Sequence, residues 1–159
     1  MRGCEVDDLQ RLLLDERAIT AVLHDYARAL DRRDWELLAS LFTANAVVDY
    51  SSEGGPVCHG PEPVVADCQE DFAGLDATSH LIGNVTIAVD GDSARASSVV
   101  HAWHVRQAAA GGSTLLLVGG YEDRLVRTPG GWRLAARTLT VAFQAGNPGV
   151  KVPRPGPER

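Results

Sequence analysis

The sequence predicts an α+β domain, with N-terminal helices packed in a strongly curved, mainly antiparallel sheet. Three observations lead there. Apolar residues recur at helical spacing early in the chain, turn signals divide the later part into four strand-like segments, and 159 residues, 45% of them hydrophobic, suit one buried core.

Asp7 and Asp8 precede Leu9, Leu12 and Leu13 as candidate N-caps for a short first helix. A longer second helix follows, in which Ile19, Val22, Leu23, Tyr26 and Leu30 form one apolar stripe while Arg17, Asp25, Arg28 and Arg32 take other faces. Trp35, Leu38, Leu41 and Phe42 predict a third, short helix, and Asn45 to Tyr50 a first strand with β-branched Val47 and Val48. Gly60-Pro61 opens another helix, which Val64, Val65, Cys68 and Phe72 continue towards Gly74. Asp90-Gly91, Gly111-Gly112 and Pro129-Gly130-Gly131 then separate strands at 78–89, 94–108, 114–127 and 132–143, an antiparallel meander. Strands of a dozen residues run about 40 Å and must twist and curl, leaving a concave face for the helices. The domain is expected over 1–144. Residues 145–159, with four prolines and three glycines, are expected to form an extended or disordered arm, with a lid over a neighbour's pocket as the alternative.

Fifteen Lys and Arg against twenty-one Asp and Glu give a formal charge of −6, and no basic run offers phosphates a stripe, so nucleic acid is not an expected partner. The first ten residues hold three acids and no apolar run, and no segment approaches the roughly 20 apolar residues of a membrane span. A soluble, cytoplasmic chain beginning at Met1 is expected. Cys4, Cys58 and Cys68 are an odd count without CxxC spacing, which predicts neither disulfides nor zinc. His101 and His104, three apart on one strand, face opposite sides and cannot share a metal. No GxSxG, GxGxxG, P-loop or HExxH pattern occurs, so acid/base chemistry remains.

Four residues stand out for that chemistry. Asp31, at the end of the second helix, faces the negative end of the helix dipole and is either neutralised by Arg32 and Arg33 or paired with a buried cation. His80 opens the first long strand, on the face of Ile82, Asn84 and Thr86 and opposite Leu81, Val85 and Ile87, in a structural or a catalytic role. Arg137 shares a face with Leu139, Val141 and Phe143, where a guanidinium either pairs with a carboxylate or binds an anion; parity puts Arg133 there too. Tyr26 lies on the apolar stripe, about 140° around the helix from Asp31, and is either a core tyrosine or shares a site with Asp31 if the helix ends near Leu30.

The runs Tyr26-Ala-Arg-Ala-Leu-Asp31-Arg-Arg-Asp-Trp35, Thr78-Ser-His80-Leu-Ile-Gly83 and Gly131-Trp-Arg-Leu-Ala-Ala-Arg137 resemble those of SnoaL-like proteins in the nuclear transport factor 2-like superfamily. The resemblance reaches to about Phe143 and implies a cone-shaped, cystatin-like fold. It points to scytalone dehydratase, bile-acid 7α-dehydratase and hexachlorocyclohexane dehydrochlorinase, cofactor-free eliminating enzymes with an Asp–His pair that Asp31 and His80 match. It also implies functional roles for Tyr26 and Arg137, and pocket roles for Tyr50 and His104. Leu30 and Arg137 depart from scytalone dehydratase. Trp35 and Tyr121 complete the candidate substrate-binding set. The implied activity is a dehydratase-type lyase with no cofactor and no metal, acting on a small hydrophobic polyketide-, steroid- or terpenoid-like substrate. Isomerase or cyclase chemistry in the same pocket, or a non-catalytic binding subunit, are the alternatives. Leu81, Val85, Ile87 and Val89 are expected to form an apolar outer sheet face, implying a homo-oligomer, by analogy a trimer, with a dimer as the alternative.

Overall fold

The computed structural model describes residues 2–151, with side chains from Asp7 onward. Helix α1 runs Arg2–Arg32, α2 Trp35–Ser40 and α3 Pro61–Asp71; the strands are β1 Phe42–Asp49, β2 Val57–His59, β3 Ala77–Asp90, β4 Ser93–Val105, β5 Thr114–Thr128 and β6 Gly131–Gly146. They form one sheet in the order β2-β1-β6-β5-β4-β3. The α+β class and the meander are as expected. The sheet is nonetheless mixed, because β1 runs parallel to β6.

The two expected N-terminal helices are one. Between Leu13 and Ile19 stand only residues compatible with a helix, with no Gly or Pro, so nothing ends the first segment and Asp7 and Asp8 lie inside α1. Ile19, Leu23, Tyr26 and Leu30 are buried against the sheet as the periodicity predicts. Leu9, Leu13 and Leu14 stay more than half exposed on the part of the helix nearer the N-terminus.

Three bulges overturn the strand parity. In β3 the register shifts between Gly83 and Thr86, where Asn84 adopts φ +49, and the alternation changes sides. Val85, Ile87 and Val89 therefore pack on the core, while Leu81 points out at 67% exposure. In β6 a shift at Ala135 moves Arg133 off the face of Arg137, and a second at Ala142 turns Phe143 outward. Gly119 faces that second bulge, where an added Cβ would lie 2.5 Å from the Thr140 carbonyl oxygen, so only glycine fits. The outer face expected from Leu81, Val85, Ile87 and Val89 is instead built from Leu81, Trp103 and Phe143.

The expected boundary at 144 falls inside β6. Beyond it, Asn147 donates its side-chain amide to the Ala110 and Gly112 carbonyls, Pro148–Val150 form a 3-10 turn, and Val150 is fully buried. The expected arm thus begins as packed structure; its remainder, 152–159, and the Cys4 side chain lie outside the described residues. Cys58 and Cys68 are buried and form no disulfide. No helix among the described residues is long and apolar enough to cross a membrane.

Candidate active site

Helix α1 ends because Arg33 turns into the left-handed region at φ +58, and the Asp34 amide closes the last turn on the Ala29 carbonyl at 2.9 Å. That turn aims Asp31 at the start of β3, where Thr78 and His80 share a face two residues apart. The His80 ring Nδ1 lies 2.7 Å from Asp31 Oδ1, the His80 backbone N–H donates to Oδ2 at 2.9 Å, and Thr78 Oγ1 donates to Oδ1 at 3.0 Å. Burial pushes the Asp31 carboxyl up, but the donors from His80 and Thr78 outweigh it and hold the group below its ordinary range. An ionised carboxylate only accepts, so an uncharged imidazole in this position would carry its proton on Nδ1 and its lone pair on Nε2.

His80 lines a partly open cavity of about 30 Å³ with Tyr26, Tyr50, Tyr121, His104 and Lys151. That volume has room for about one or two waters. Phe72 stacks on the His80 ring at 5.8 Å, and His104 meets both rings edge-on. Burial, with Lys151 and His80 nearby, pushes His104 down to about 3, so it is neutral, and its Nδ1 is buried without a partner. Tyr26 and Tyr50 share a 2.7 Å hydrogen bond, and burial drives both phenols far above their ordinary range, keeping them protonated. Only one of the two protons is used in that bond. Tyr121 interacts with the Tyr26 hydroxyl and the Cys68 thiol with that of Tyr50.

Asp31 does not line the cavity. It backs His80 from an open groove between α1 and β3 that His24, Arg28 and Arg32 also line, so the imidazole forms the wall between groove and cavity. Tyr26 thus lines the cavity and Asp31 the groove, with His80 lining both, and α1 continues to Arg32 rather than ending near Leu30.

Arg137 also stands outside the cavity lining. Its side chain and that of Asp123 are both 0% exposed, and Nε and Nη2 donate to the two Asp123 oxygens at 2.7 Å each. The guanidinium carbon lies 4.1 Å from the Tyr26 ring centroid and 4.0 Å from that of Tyr121. Of the two openings left by sequence, pairing with a carboxylate is the one realised. Trp35 packs against Phe72 at 6.5 Å rather than lining the cavity. Tyr50, His104 and Tyr121 line the cavity.

Lys151 was not a candidate. It bridges Glu53 at 3.0 Å and Asp71 at 2.7 Å beside the cavity; burial works against its charge, and the two carboxylates outweigh that and raise its pKa. No local signal marks it. Asp123 had a partial signal, since the turn at Pro129 fixes the β5–β6 hairpin, but without the Ala135 bulge plain register sets it opposite Ala136. Among the described residues no group of three His, Cys, Asp or Glu is placed to hold a metal.

Residues 11–138 match the SnoaL-like domain. The chain belongs to the SnoaL-like family. An uncharacterised protein of Mycobacterium tuberculosis is 35% identical over 132 residues, 82% of this chain and 87% of its own length. A candidate scytalone dehydratase from Novosphingobium aromaticivorans is 27% identical at a TM-score of 0.78, covering 87% of this chain and 91% of that one. A hexachlorocyclohexane dehydrochlorinase is 22% identical at a TM-score of 0.76, covering 94% and 99%, and shows the fold alone. The fold is that of the nuclear transport factor 2-like superfamily.

Proposed function

We propose that this SnoaL-like protein is a cofactor-free lyase that removes a proton next to a carbonyl and expels water, or a similar leaving group, from a small hydrophobic substrate. The observation that carries this reading is the 2.7 Å contact of Asp31 with a His80 ring that forms one wall of a partly open, phenol-lined cavity. His80 Nε2 takes the proton, and Asp31 holds the ring in the Nδ1–H tautomer and stabilises the imidazolium that forms. Tyr26, paired with Tyr50, donates its phenolic proton to the departing oxygen, and neutral His104 orients substrate or water.

Arg137 serves this chemistry through the tyrosines. Bound to Asp123 and lying over both rings, it holds Tyr26 and Tyr121 in place and adds a positive field behind their hydroxyls, instead of contacting substrate. The SnoaL-like match and the similarity to a candidate scytalone dehydratase support an eliminating enzyme.

The test is a panel of β-hydroxy ketones followed by mass spectrometry in D₂O. Loss of one water marks a lyase, and α-carbon deuteration with mass otherwise conserved marks an isomerase in the same pocket. H80A should lower either signal about 10²–10⁴-fold. Full activity in H80A refutes the assignment.

A further inference from the structure

We infer that Arg33 and Thr78 are positioning residues that lock the Asp31–His80 pair in its working tautomer. The inference rests on the base role proposed for His80. Arg33 ends α1 at φ +58, a conformation in which glycine or asparagine is the usual residue. An arginine there is explained by what its side chain does. Nη1 donates to the Leu30 carbonyl at 2.7 Å and to Thr78 Oγ1 at 2.8 Å, and the guanidinium carbon lies 4.7 Å from the centroid of Phe72. Phe72 in turn stacks on the His80 ring. Arg33 therefore touches the dyad from two directions, through a hydroxyl to Asp31 and through an aromatic ring to His80.

The direction of the hydrogen bonds follows from the donors available. A guanidinium can only donate, so Thr78 must accept from it, and the single hydroxyl proton is directed to Asp31 Oδ1. With Oδ2 taking the His80 amide, the carboxylate is held at both oxygens. Its remaining capacity at Oδ1 meets His80 Nδ1 in one orientation, which leaves Nε2 pointing away from the carboxylate. Without the Arg33 donor the threonine hydroxyl is free to rotate, and without that hydroxyl the carboxylate loses one of its three anchors.

The competing explanation is that Arg33 merely caps α1 through the Leu30 carbonyl. A cap acts on stability and leaves the imidazole unchanged, so the ring's own spectrum separates the two. The experiment records ¹⁵N and ring N–H spectra of histidine-labelled, substrate-free protein, with His80 assigned among the five histidines by its absence in H80Q. The native protein should show a single Nδ1–H tautomer with a slowly exchanging, low-field proton. T78V should mix the tautomers and speed exchange of that proton about tenfold, the scale of one lost charge-assisted hydrogen bond; T78S should restore both. R33M should behave as T78V does, and R33K should recover only part of the effect, since an ammonium lacks the planar fork. Neither side chain lines the cavity, so on any substrate turned over kcat should fall while KM holds.

Unchanged His80 spectra in folded T78V and R33M overturn the inference. Should R33M not fold, the T78V and T78S pair decides alone. Altered spectra together with full activity in H80A would refute the lyase reading and leave the positioning role standing.

Discussion

Helix α1 presents two carboxylates to the sheet, and they do different work. Asp15 receives Arg127 through both guanidinium nitrogens at 2.7 Å and the Trp132 indole N–H at 3.1 Å. Asp31 receives a hydroxyl, a backbone amide and an imidazole. Both carboxyls are held below their ordinary range, Asp15 chiefly by Arg127 and Asp31 by donors that overcome its burial. What separates them is the partner. Arginine and tryptophan do not exchange a proton near neutral pH, so the Asp15 cluster is a fastener, whereas the partner of Asp31 is an imidazole whose ring walls the cavity. A depressed carboxyl next to a sheet is therefore no mark of chemistry by itself; a titratable partner that walls a cavity is.

The sharpest break in that comparison is H80Q set beside D15N. H80Q should lose 10²–10⁴-fold in turnover with the fold intact in circular dichroism. D15N should keep its activity per folded molecule and lose about 1–3 kcal/mol in urea unfolding. Native-level turnover in H80Q, or a D15N enzyme that is folded but inactive, would erase the distinction.

Next in size is the buried pair that belongs to neither carboxylate of α1. R137M leaves Asp123 enclosed without a partner and should cost about 3–5 kcal/mol in the same assay. The double variant R137M/D123L, apolar at both positions, should regain much of it. A failure to regain would show that the pair holds the fold in ways beyond its own charges.

A smaller effect comes from acid. The folded pKa of Asp15 lies below its ordinary value of 3.8, so its stabilising contribution is complete above about pH 4 and fades as pH falls through the folded value. The wild-type advantage over D15N should thus be flat at neutral pH and shrink on acidification below about pH 4. An advantage that grows in acid would contradict the sign.

The smallest concerns the Lys151 bridge beside the cavity. K151M removes the bridge between Glu53 and Asp71 and should raise the iodoacetamide labelling rate of Cys68, a cavity-lining thiol, a few-fold, read on its peptide by mass spectrometry. An unchanged rate would mean that Lys151 does not guard the cavity.

Much of the site was legible in the chain. The stripe through Ile19, Leu23, Tyr26 and Leu30 places α1 on the sheet, the Gly-rich turns cut the meander, and the runs around Asp31 and His80 carry the resemblance that pairs them. Arg137 was visible as a guanidinium on an apolar face, but not as one already committed to Asp123. Val85, Ile87 and Val89 were assigned to the wrong side because alternation assumes an unbroken ladder, and the extra residue at Asn84 reverses every later position. The same failure hid the separation of Arg133 from Arg137 and the outward turn of Phe143.

Composition and periodicity by themselves determined the α+β class and the helix that meets the sheet, because these follow from local spacing, whereas the pairing of Asp31 with His80 was what the resemblance implied. Tertiary structure alone decided which face each strand residue takes after a bulge, that Asp31 stands behind His80 rather than beside it in the cavity, and that Lys151 returns from the C-terminal end to meet Glu53 and Asp71. Those outcomes depend on register and on contacts between residues far apart in the chain, and no local pattern of side chains encodes either.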